Sequence, residues 1–413
     1  MSQRRTVLLA GIGMLAATTR SGAARAPDGR PASSSDTTGS LQPWAERSTA
    51  PGVIAAYDFS EPPVNGGTWQ WGSLSRQPKV TVEAQGESDP KASANRKVDR
   101  TLFPNGSTAS LRWDVPGQSG ERSDLWRISI DNYEDQFGEN SEFWVQWRTR
   151  LNPLMAHFLF KDRGGPRSLT AFKHALFGEG MQRPNVGGVS TRRKYYGFDG
   201  PGTQIDNVLA DTRSDSDHEI AFIHSNVFDP GAGLDRGFKY PLIYHSKYFY
   251  GTETKGQDAN YYTYANRGNE AKHVADCQYV IQGGGRGAEY TDLRTCFIYP
   301  ADEWFTLMLH VKAGPFGTGI SSLSGGSMQG YTDSTLEVWA AYDGAKLQML
   351  HRRTGVVLRT NPVLGPQGPQ RYGTFGWTTF MTHKDFDQIH PLAQIWVSQI
   401  IIRSGPLPPA SPA

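Results

Sequence analysis

The chain has little of what several protein classes require. Only 2 of its 413 residues are cysteine, charged residues make up 20%, and the formal net charge is +2. Two thiols without a Cys-x-x-Cys spacing argue against a zinc ribbon or a redox dithiol. A nearly neutral chain also lacks the basic surface with which nucleic-acid binders neutralise phosphates. Because no apolar run reaches the roughly 18 residues that a membrane span needs, we expect no span and no nucleic-acid partner.

Glycine, proline and aromatic residues are plentiful instead. The sequence contains 46 Gly and 26 Pro, together with 11 Trp, 17 Tyr and 19 Phe. Glycine and proline destabilise helices, whereas a disordered chain has few aromatic residues. This composition predicts an all-β protein with a packed core.

The N-terminus has the pattern of an export signal. Arg4 and Arg5 precede the apolar run 7–17, and Ala24 and Ala26 offer a small-residue cleavage site. We therefore predict a signal peptide at 1–26, similar at its start to twin-arginine signals, and a secreted or periplasmic protein. An N-terminal membrane anchor is the alternative. Residues 1–26 hold four arginines and no acid, so their removal changes the net charge from +2 to −2.

The rest of the chain is predicted to hold one domain. Residues 27–50 and 406–413 are rich in Ser, Pro, Gly and Ala and are predicted to be a disordered linker and a disordered tail. Between them, 51–405 shows period-two runs that predict an antiparallel β-sandwich, a jelly roll with long loops. Stretches 180–215, 250–292 and 314–334 lack strand patterning and are predicted to be those loops. The clear strand runs are 143–150, 172–177, 220–226, 242–248, 304–313, 336–342, 372–382 and 394–403.

The two cysteines are predicted to form a disulfide. Cys277 and Cys296 would meet an oxidising compartment after export. The closed loop of about 20 residues would contribute roughly 3 kcal/mol.

The run 143–150 carries a candidate binding surface. Alternation places Trp144, Gln146, Arg148 and Arg150 on one face of a strand, opposite an apolar face. An aromatic ring, an amide and two guanidinium groups suit a sugar that bears a carboxylate. An ordinary solvent-facing strand remains the alternative.

Several strands also carry groups that can transfer protons. Histidine titrates near neutral pH, and Tyr or Lys can act as an acid or base once its pKa is shifted. A structural role is the alternative for each of them. The candidates are Lys173, His174, His224, Tyr244, His245, His310, His383 and Lys384.

A carboxylate cluster offers a competing chemistry. Asp215, Asp217 and Glu219 would share one side of an extended segment, and paired carboxylates are what glycosidases use. A solvated strand entrance or an oxygen-rich calcium site are the other interpretations. The sequence has no Gly-x-Ser-x-Gly, His-Glu-x-x-His or phosphate-loop motif, so esterase, zinc protease and nucleotide enzyme lack support.

The order of several strand segments resembles a known superfamily. These segments are 143–150 (FWVQWRTR), 172–180 (FKHALFGEG), 303–312 (EWFTLMLHVK), 336–344 (LEVWAAYDG) and 395–404 (IWVSQIIIRS). Over about residues 100 to 405, the chain is similar to concanavalin A-like lectin/glucanase jelly rolls, and within them to polysaccharide lyases of the alginate-lyase-like type.

The resemblance implies roles for individual residues. Arg148 or Arg150 would neutralise the substrate carboxylate, and His174 or His224 would be the neutraliser or base. Phe380 stands where the family has a tyrosine on a late strand, which leaves Tyr244, His383 or Lys384 for proton transfer. Ser398 and Gln399 replace acidic residues of the family's last strand.

Together these observations predict an exported polysaccharide lyase that cleaves a uronate-containing polysaccharide by β-elimination. Catalysis is assigned to a first set, and substrate binding to a second. The first set is Arg148, His174, His224 and Tyr244; the second is Trp144, Gln146, Arg150, Lys173, His245 and Lys384. We expect a monomer whose partner is an acidic polysaccharide and which requires no cofactor, with a structural calcium ion left open. The alternatives are a glycoside hydrolase using Asp217 and Glu219, and a non-catalytic carbohydrate-binding protein.

Overall fold

A computed structural model gives the fold of most of the predicted domain. Contacts divide the chain into two units, 1–36 and 37–413, and all described residues belong to the second. The structure describes residues 43–60, 68–70, 80–85, 96–117, 125–130, 133–158, 160, 171–179, 219–228, 237–245, 279–281, 288–290, 297, 299–320, 327–359, 369, 371–380, 384–385 and 387–406.

The larger sheet has nine antiparallel strands. Seven of them follow the order β14-β15-β13-β7-β18-β5-β4, while β1 pairs with β18 and β16 pairs with β15. Their bounds are β1 Val53–Tyr57, β4 Arg96–Asp99, β5 Ser110–Val115, β7 Glu142–Leu151, β13 Trp304–Lys312, β14 Phe316–Ile320, β15 Ser327–Tyr342, β16 Gln348–Arg359 and β18 Ala393–Ser404.

The second sheet has seven antiparallel strands in the order β10-β9-β8-β17-β6-β3-β2. Its strands are β2 Thr68–Gln70, β3 Val80–Gln85, β6 Leu125–Ile130, β8 Ala171–Glu179, β9 Glu219–Phe228, β10 Gly237–His245 and β17 Tyr372–Phe380. The strands β11 Tyr279–Ile281 and β12 Ala288–Tyr290 pair only with each other among the described strands. The α-helices of the described chain are short, α1 Trp44–Ser48 and α2 Pro153–His157, and Tyr133–Asp135 is a 3₁₀ turn.

Aromatic side chains from both sheets fill the space between them. Trp147 of β7 has its ring centroid 6.1 Å from that of Trp377 in β17 and 5.9 Å from that of Phe177 in β8. Phe143, also in β7, lies 5.9 Å from Phe375 in β17. All five side chains are fully buried, and burial of each contributes about 2–3 kcal/mol. The predicted antiparallel β-sandwich of the jelly-roll class is confirmed.

Two of the predicted loops contain strands. The stretch 314–334 includes β14 and the first part of β15, which pair with each other, and 250–292 includes β11 and β12. The sequence of β14, Phe-Gly-Thr-Gly-Ile, hid the strand because glycine supplies no side chain to show alternation. The prediction that these stretches lack strands was wrong.

The described chain begins inside the stretch predicted as a linker. Helix α1 packs against β1 and β18, and Trp44 of this helix approaches Gly106, where φ is +87° and a Cβ atom would lie 3.0 Å from the Trp44 Cβ. A glycine at 106 therefore makes room for the helix. In the described part of the chain, no helix is long and apolar enough to cross a membrane.

Candidate functional site

Strand β7 separates a core face from a polar face as the sequence predicted. Val145 and Trp147 are fully buried among the core residues, whereas Trp144, Gln146 and Arg148 lie on the face that points away from the second sheet. This outer face is central in the nine-stranded sheet because β7 lies between β13 and β18.

Both arginines of this strand are paired with carboxylates. Arg148 Nη2 donates to Asp343 Oδ1 at 2.5 Å, and Arg150 Nη2 donates to Asp302 Oδ1 at 3.2 Å. Burial lowers the pKa of Arg148, and the charge and hydrogen bond of Asp343 oppose that effect only in part. Asp343 follows β15 and Asp302 precedes β13, so the two acids reach the arginines from strand ends.

A third arginine, Arg47, is close enough to Arg148 for the charge of Arg148 to affect its pKa. Arg47 of α1 donates from Nη2 to Gln399 Oε1 at 2.6 Å, and Gln399 Nε2 donates to the carbonyl oxygen of Asn105 at 2.7 Å. Burial, followed by the charge of Arg148, lowers the pKa of Arg47 to about 10. Arg47 was not among the residues predicted from the sequence, because its segment has the composition of a linker.

A histidine on the same outer face has two carboxylate partners. The ring of His310 in β13 stacks on Trp144 with the centroids 3.6 Å apart. Its Nδ1 lies 2.9 Å from Glu337 Oε2, and its Nε2 lies 2.8 Å from Glu142 Oε1. His310, Glu337 and Glu142 come from β13, β15 and β7, so the cluster joins three neighbouring strands.

Glu337 receives further donors. Trp339 Nε1 donates to its Oε2 at 3.0 Å, and Arg352 Nε lies 3.3 Å from its Oε1. Burial alone would raise the pKa of Glu337, but the hydrogen bond and charge of His310, the bond from Trp339 and the charge of Arg352 outweigh it and lower the pKa. The ionised carboxylate is therefore the favoured form, which suits a structural cluster.

His174 lies inside the sandwich instead. Its ring is fully buried with its centroid 6.1 Å from that of Trp147. Burial lowers the pKa of His174 to about 3, against a hydrogen bond with the backbone of Thr378 that raises it. A register shift between Lys173 and Ala175 opposite β9 inserts one extra residue here, and such bulges redirect side chains. This histidine is neutral and has no contact with solvent.

Four of the other proton-transfer candidates fall on three neighbouring strands of the second sheet. Lys173 of β8 is opposite Ile223 of β9, and His224 is opposite Phe172 and Pro241. Tyr244 of β10 is opposite Ala221, and His245 is opposite Ile220. The four residues predicted as catalytic are thus divided, with Arg148 on the larger sheet and the three others on β8, β9 and β10.

Lys384 lies in a different cluster, near α2. It is 1% exposed, and its Nζ is 5.8 Å from the ring centroid of Phe160. His390 is 5.2 Å from the same ring and donates from Nδ1 to the carbonyl oxygen of Pro391 at 2.6 Å. Burial lowers the pKa of His390, the bond to Pro391 opposes this, and the charge of Lys384 adds to it. The sequence did not single out His390.

Several predicted residues lie outside the described part of the chain. They are Cys277, Cys296, Asp215, Asp217 and His383. The disulfide, the hydrolase carboxylates and a calcium site therefore stay predictions. Among the described residues, no group of three or more His, Cys, Asp or Glu side chains is placed to hold a metal ion.

Neither family models nor curated proteins match the sequence. Among solved structures, the chain is similar to the marine PL-14 alginate lyase from Aplysia kurodai, with 9% identity, a TM-score of 0.42, and coverage of 86% of this chain and 99% of that one. It is also similar to alginate lyase Aly36B, with 11% identity, a TM-score of 0.31, and coverage of 82% and 96%. A botulinum neurotoxin serotype D/C binding domain matches with 8% identity, a TM-score of 0.33, and coverage of 85% and 48%. Most of the similar solved structures are alginate lyases.

Proposed function

We propose that the protein is an exported polysaccharide lyase that cleaves a uronate-containing polysaccharide by β-elimination. One observation carries the proposal: Lys173, His224, Tyr244 and His245 belong to β8, β9 and β10, which are hydrogen-bonded neighbours at one end of the seven-stranded sheet. The sequence alone could not place these three strands side by side.

The register brings the backbone positions within reach of one sugar unit. Tyr244 is opposite Ala221, and Lys173 is opposite Ile223, two residues further along β9. With neighbouring strands about 4.8 Å apart and residues about 3.3 Å apart along a strand, the Cα atoms of Lys173 and Tyr244 are about 12 Å apart. Lysine and tyrosine side chains are long enough to bind one ring from two such positions.

The reaction needs a base, an acid and a cation. The base removes the proton at C5 of the uronate, the electron pair forms the C4–C5 double bond, and the acid protonates the departing C4 oxygen as its bond breaks; no water is consumed. A cation beside the carboxylate stabilises the negative charge that develops during proton removal. In this proposal Tyr244 removes the C5 proton as its phenolate and then protonates the C4 oxygen, because His224 alternates to the opposite face of the sheet from Tyr244 and Lys173.

We assign the cation to Lys173. Arg148 and Arg150 were predicted for this role, but their ion pairs with Asp343 and Asp302 are on the other sheet. Lys173 shares one face of the sheet with Tyr244, since their partners Ile223 and Ala221 are two residues apart on β9.

The test compares two tyrosines of one strand. Purified protein is incubated with a panel of acidic polysaccharides, and the ultraviolet absorbance of unsaturated uronate ends is followed. We expect activity in the wild type and a loss of at least about 100-fold in kcat for Tyr244→Phe, because general acid catalysis contributes that much or more. Tyr240→Phe is the matched control, since Tyr240 is on the same strand opposite Ser225.

Other results would point elsewhere. New reducing ends without the absorbance change would indicate a hydrolase activity and not a lyase activity. Binding without either product would leave a carbohydrate-binding protein. Equal activity of Tyr244→Phe and Tyr240→Phe would remove Tyr244 from the mechanism while leaving the reaction class in place.

A further inference from the structure

We propose that Arg47, Gln146 and Arg148 form an oxyanion-binding site on the outer face of the nine-stranded sheet, which takes a carboxylate or sulfate group. The site is on the other sheet from β8, β9 and β10, and it does not depend on the lyase reaction. Nothing in that reaction requires a second anion at this position.

Two buried donors carry the inference. Gln146 is 9% exposed and Arg148 is 5% exposed, yet Gln146 Nε2 and Arg148 Nε have no hydrogen-bond acceptor among the described residues. A buried donor without an acceptor is unfavourable, and these two donors are on one face of the same strand. Their positions, two residues apart on β7, put their Cα atoms about 7 Å apart on one face.

The local charge is positive. Arg47 and Arg148 are close enough for the charge of one to lower the pKa of the other, and the carboxylate paired with Arg148 belongs to Asp343. The side chain of Asp343 is 53% exposed, so water screens its charge. The next cation along β7, Arg150, has its own partner in Asp302. An incoming anion would balance a charge that Asp343 balances only in part.

Arg47, the third donor, is held in place by Gln399, which lies in a bulge of β18. Between Ser398 and Ile401 the pairing of β18 with β7 shifts by one residue, and Gln399 in this bulge has φ of +48°. The fully buried side chain of Gln399 accepts from Arg47 and donates to Asn105 and Ser107. A left-handed conformation at a non-glycine residue is strained, and the bulge directs this amide towards Arg47.

The chemistry of these groups selects the ligand. Guanidinium groups donate only, and the amide nitrogen of Gln146 also donates, so the ligand must present acceptors. Planar guanidinium groups match the paired oxygens of carboxylate and sulfate. The half-exposed Asp343 carboxylate marks the side of Arg148 that is open to solvent.

The experiment is isothermal titration of the purified protein with sodium sulfate at low ionic strength. We expect saturable binding at one site and a dissociation constant at least about tenfold weaker in Arg47→Met, since a hydrogen bond to a charged group contributes about 1.5–3 kcal/mol. Gln146→Met should weaken binding by a smaller factor. Thermal unfolding without sulfate checks that each variant is folded.

Arg352→Met is the matched control. Arg352 is on the same sheet, and its removal changes the net charge equally, but it pairs with Glu337 in the cluster around His310. Equal affinities for sulfate in Arg47→Met and Arg352→Met would overturn the site, as would an absence of binding by the wild type.

Two further ligands identify the source of the oxyanion. Glucuronate that competes with sulfate, while glucose does not, would show that an acidic sugar can supply the group. If sulfate binds and glucuronate does not compete with it, the site is supported and its ligands are free inorganic anions. Because neither sulfate nor glucuronate is cleaved, a failure of the lyase proposal would leave these results unchanged.

Discussion

Strand β7 presents two tryptophans to opposite sides, and each has a histidine neighbour. On the outer face, Trp144 stacks on His310 with the ring planes 6° apart. Inside the sandwich, the rings of Trp147 and His174 are 47° apart and their centroids are 6.1 Å apart. The same two residue types meet in both regions, and their surroundings differ.

The two histidines differ in the polarity of their surroundings. Both ring nitrogens of His310 lie within hydrogen-bond distance of carboxylates, those of Glu142 and Glu337. His174 is fully buried beside Trp147, where burial disfavours the charged ring and lowers its pKa to about 3. A histidine in the sequence therefore signals neither a proton carrier nor a structural residue until its neighbours are known.

The largest expected effect distinguishes the two tryptophans. Trp147→Ala removes a side chain packed against Phe177 and Trp377 and should lower the free energy of unfolding by about 4 kcal/mol, in the range of core aromatic truncations. Trp144→Ala loses the stack on His310 and the bond from its Nε1 to the carbonyl oxygen of Gly405, and should cost less. Urea denaturation at pH 7 measures both; a larger loss for Trp144→Ala would reverse the assignment of core and outer face.

The next effect concerns the carboxylates around His310. Glu337→Gln should lower the free energy of unfolding by about 2–3 kcal/mol, because it takes the charged partner from His310, Trp339 and Arg352. Glu142→Gln is the matched control and should cost less, since its side chain is 24% exposed compared with 9% for Glu337. Equal urea midpoints for the two variants would contradict a buried ionic cluster.

Alternation along the strands was enough to predict the sandwich and the polar face of β7. The pattern in 143–150 fixed which residues faced the core because a period of two leaves no other arrangement for a strand with one buried face. The strand Phe316–Ile320 was missed because two of its five residues are glycine. Pairing with β15 makes this segment a strand, and the local composition does not reveal that pairing.

The partners of the polar residues could not be predicted. Asp343, Asp302 and Arg47 reach β7 from strand ends and from a segment with linker composition, and no local pattern encodes those distances. At β8 the bulge between Lys173 and Ala175 shifts the alternation, so His174 joins the interior. One inserted residue was sufficient to move a candidate base away from solvent.

The smallest expected effect is a change in how the free energy of unfolding depends on pH, and it concerns the buried residue His174. The pKa of His174 is about 3 in the folded state and about 6.5 in an unfolded chain, so between these values the unfolded state binds a proton that the folded state does not. Its contribution to stability is fully present above about pH 6.5 and is lost by about 1.4 kcal/mol per unit as the pH falls. The lowered pKa of Glu337 acts in the same direction, but only below the ordinary glutamate value of about 4.3.

Urea unfolding measured from pH 6.5 to 4.5 therefore reports the effect of the histidines on stability without that of Glu337, which begins below this range. His174→Gln should reduce the dependence of stability on pH in this window, whatever it does to the absolute stability. His390 has a lowered pKa and contributes with the same sign, so His390→Gln is measured beside it. An unchanged slope in His174→Gln would mean that His174 is protonated in the folded protein, and the contrast between the two tryptophan–histidine pairs would then disappear.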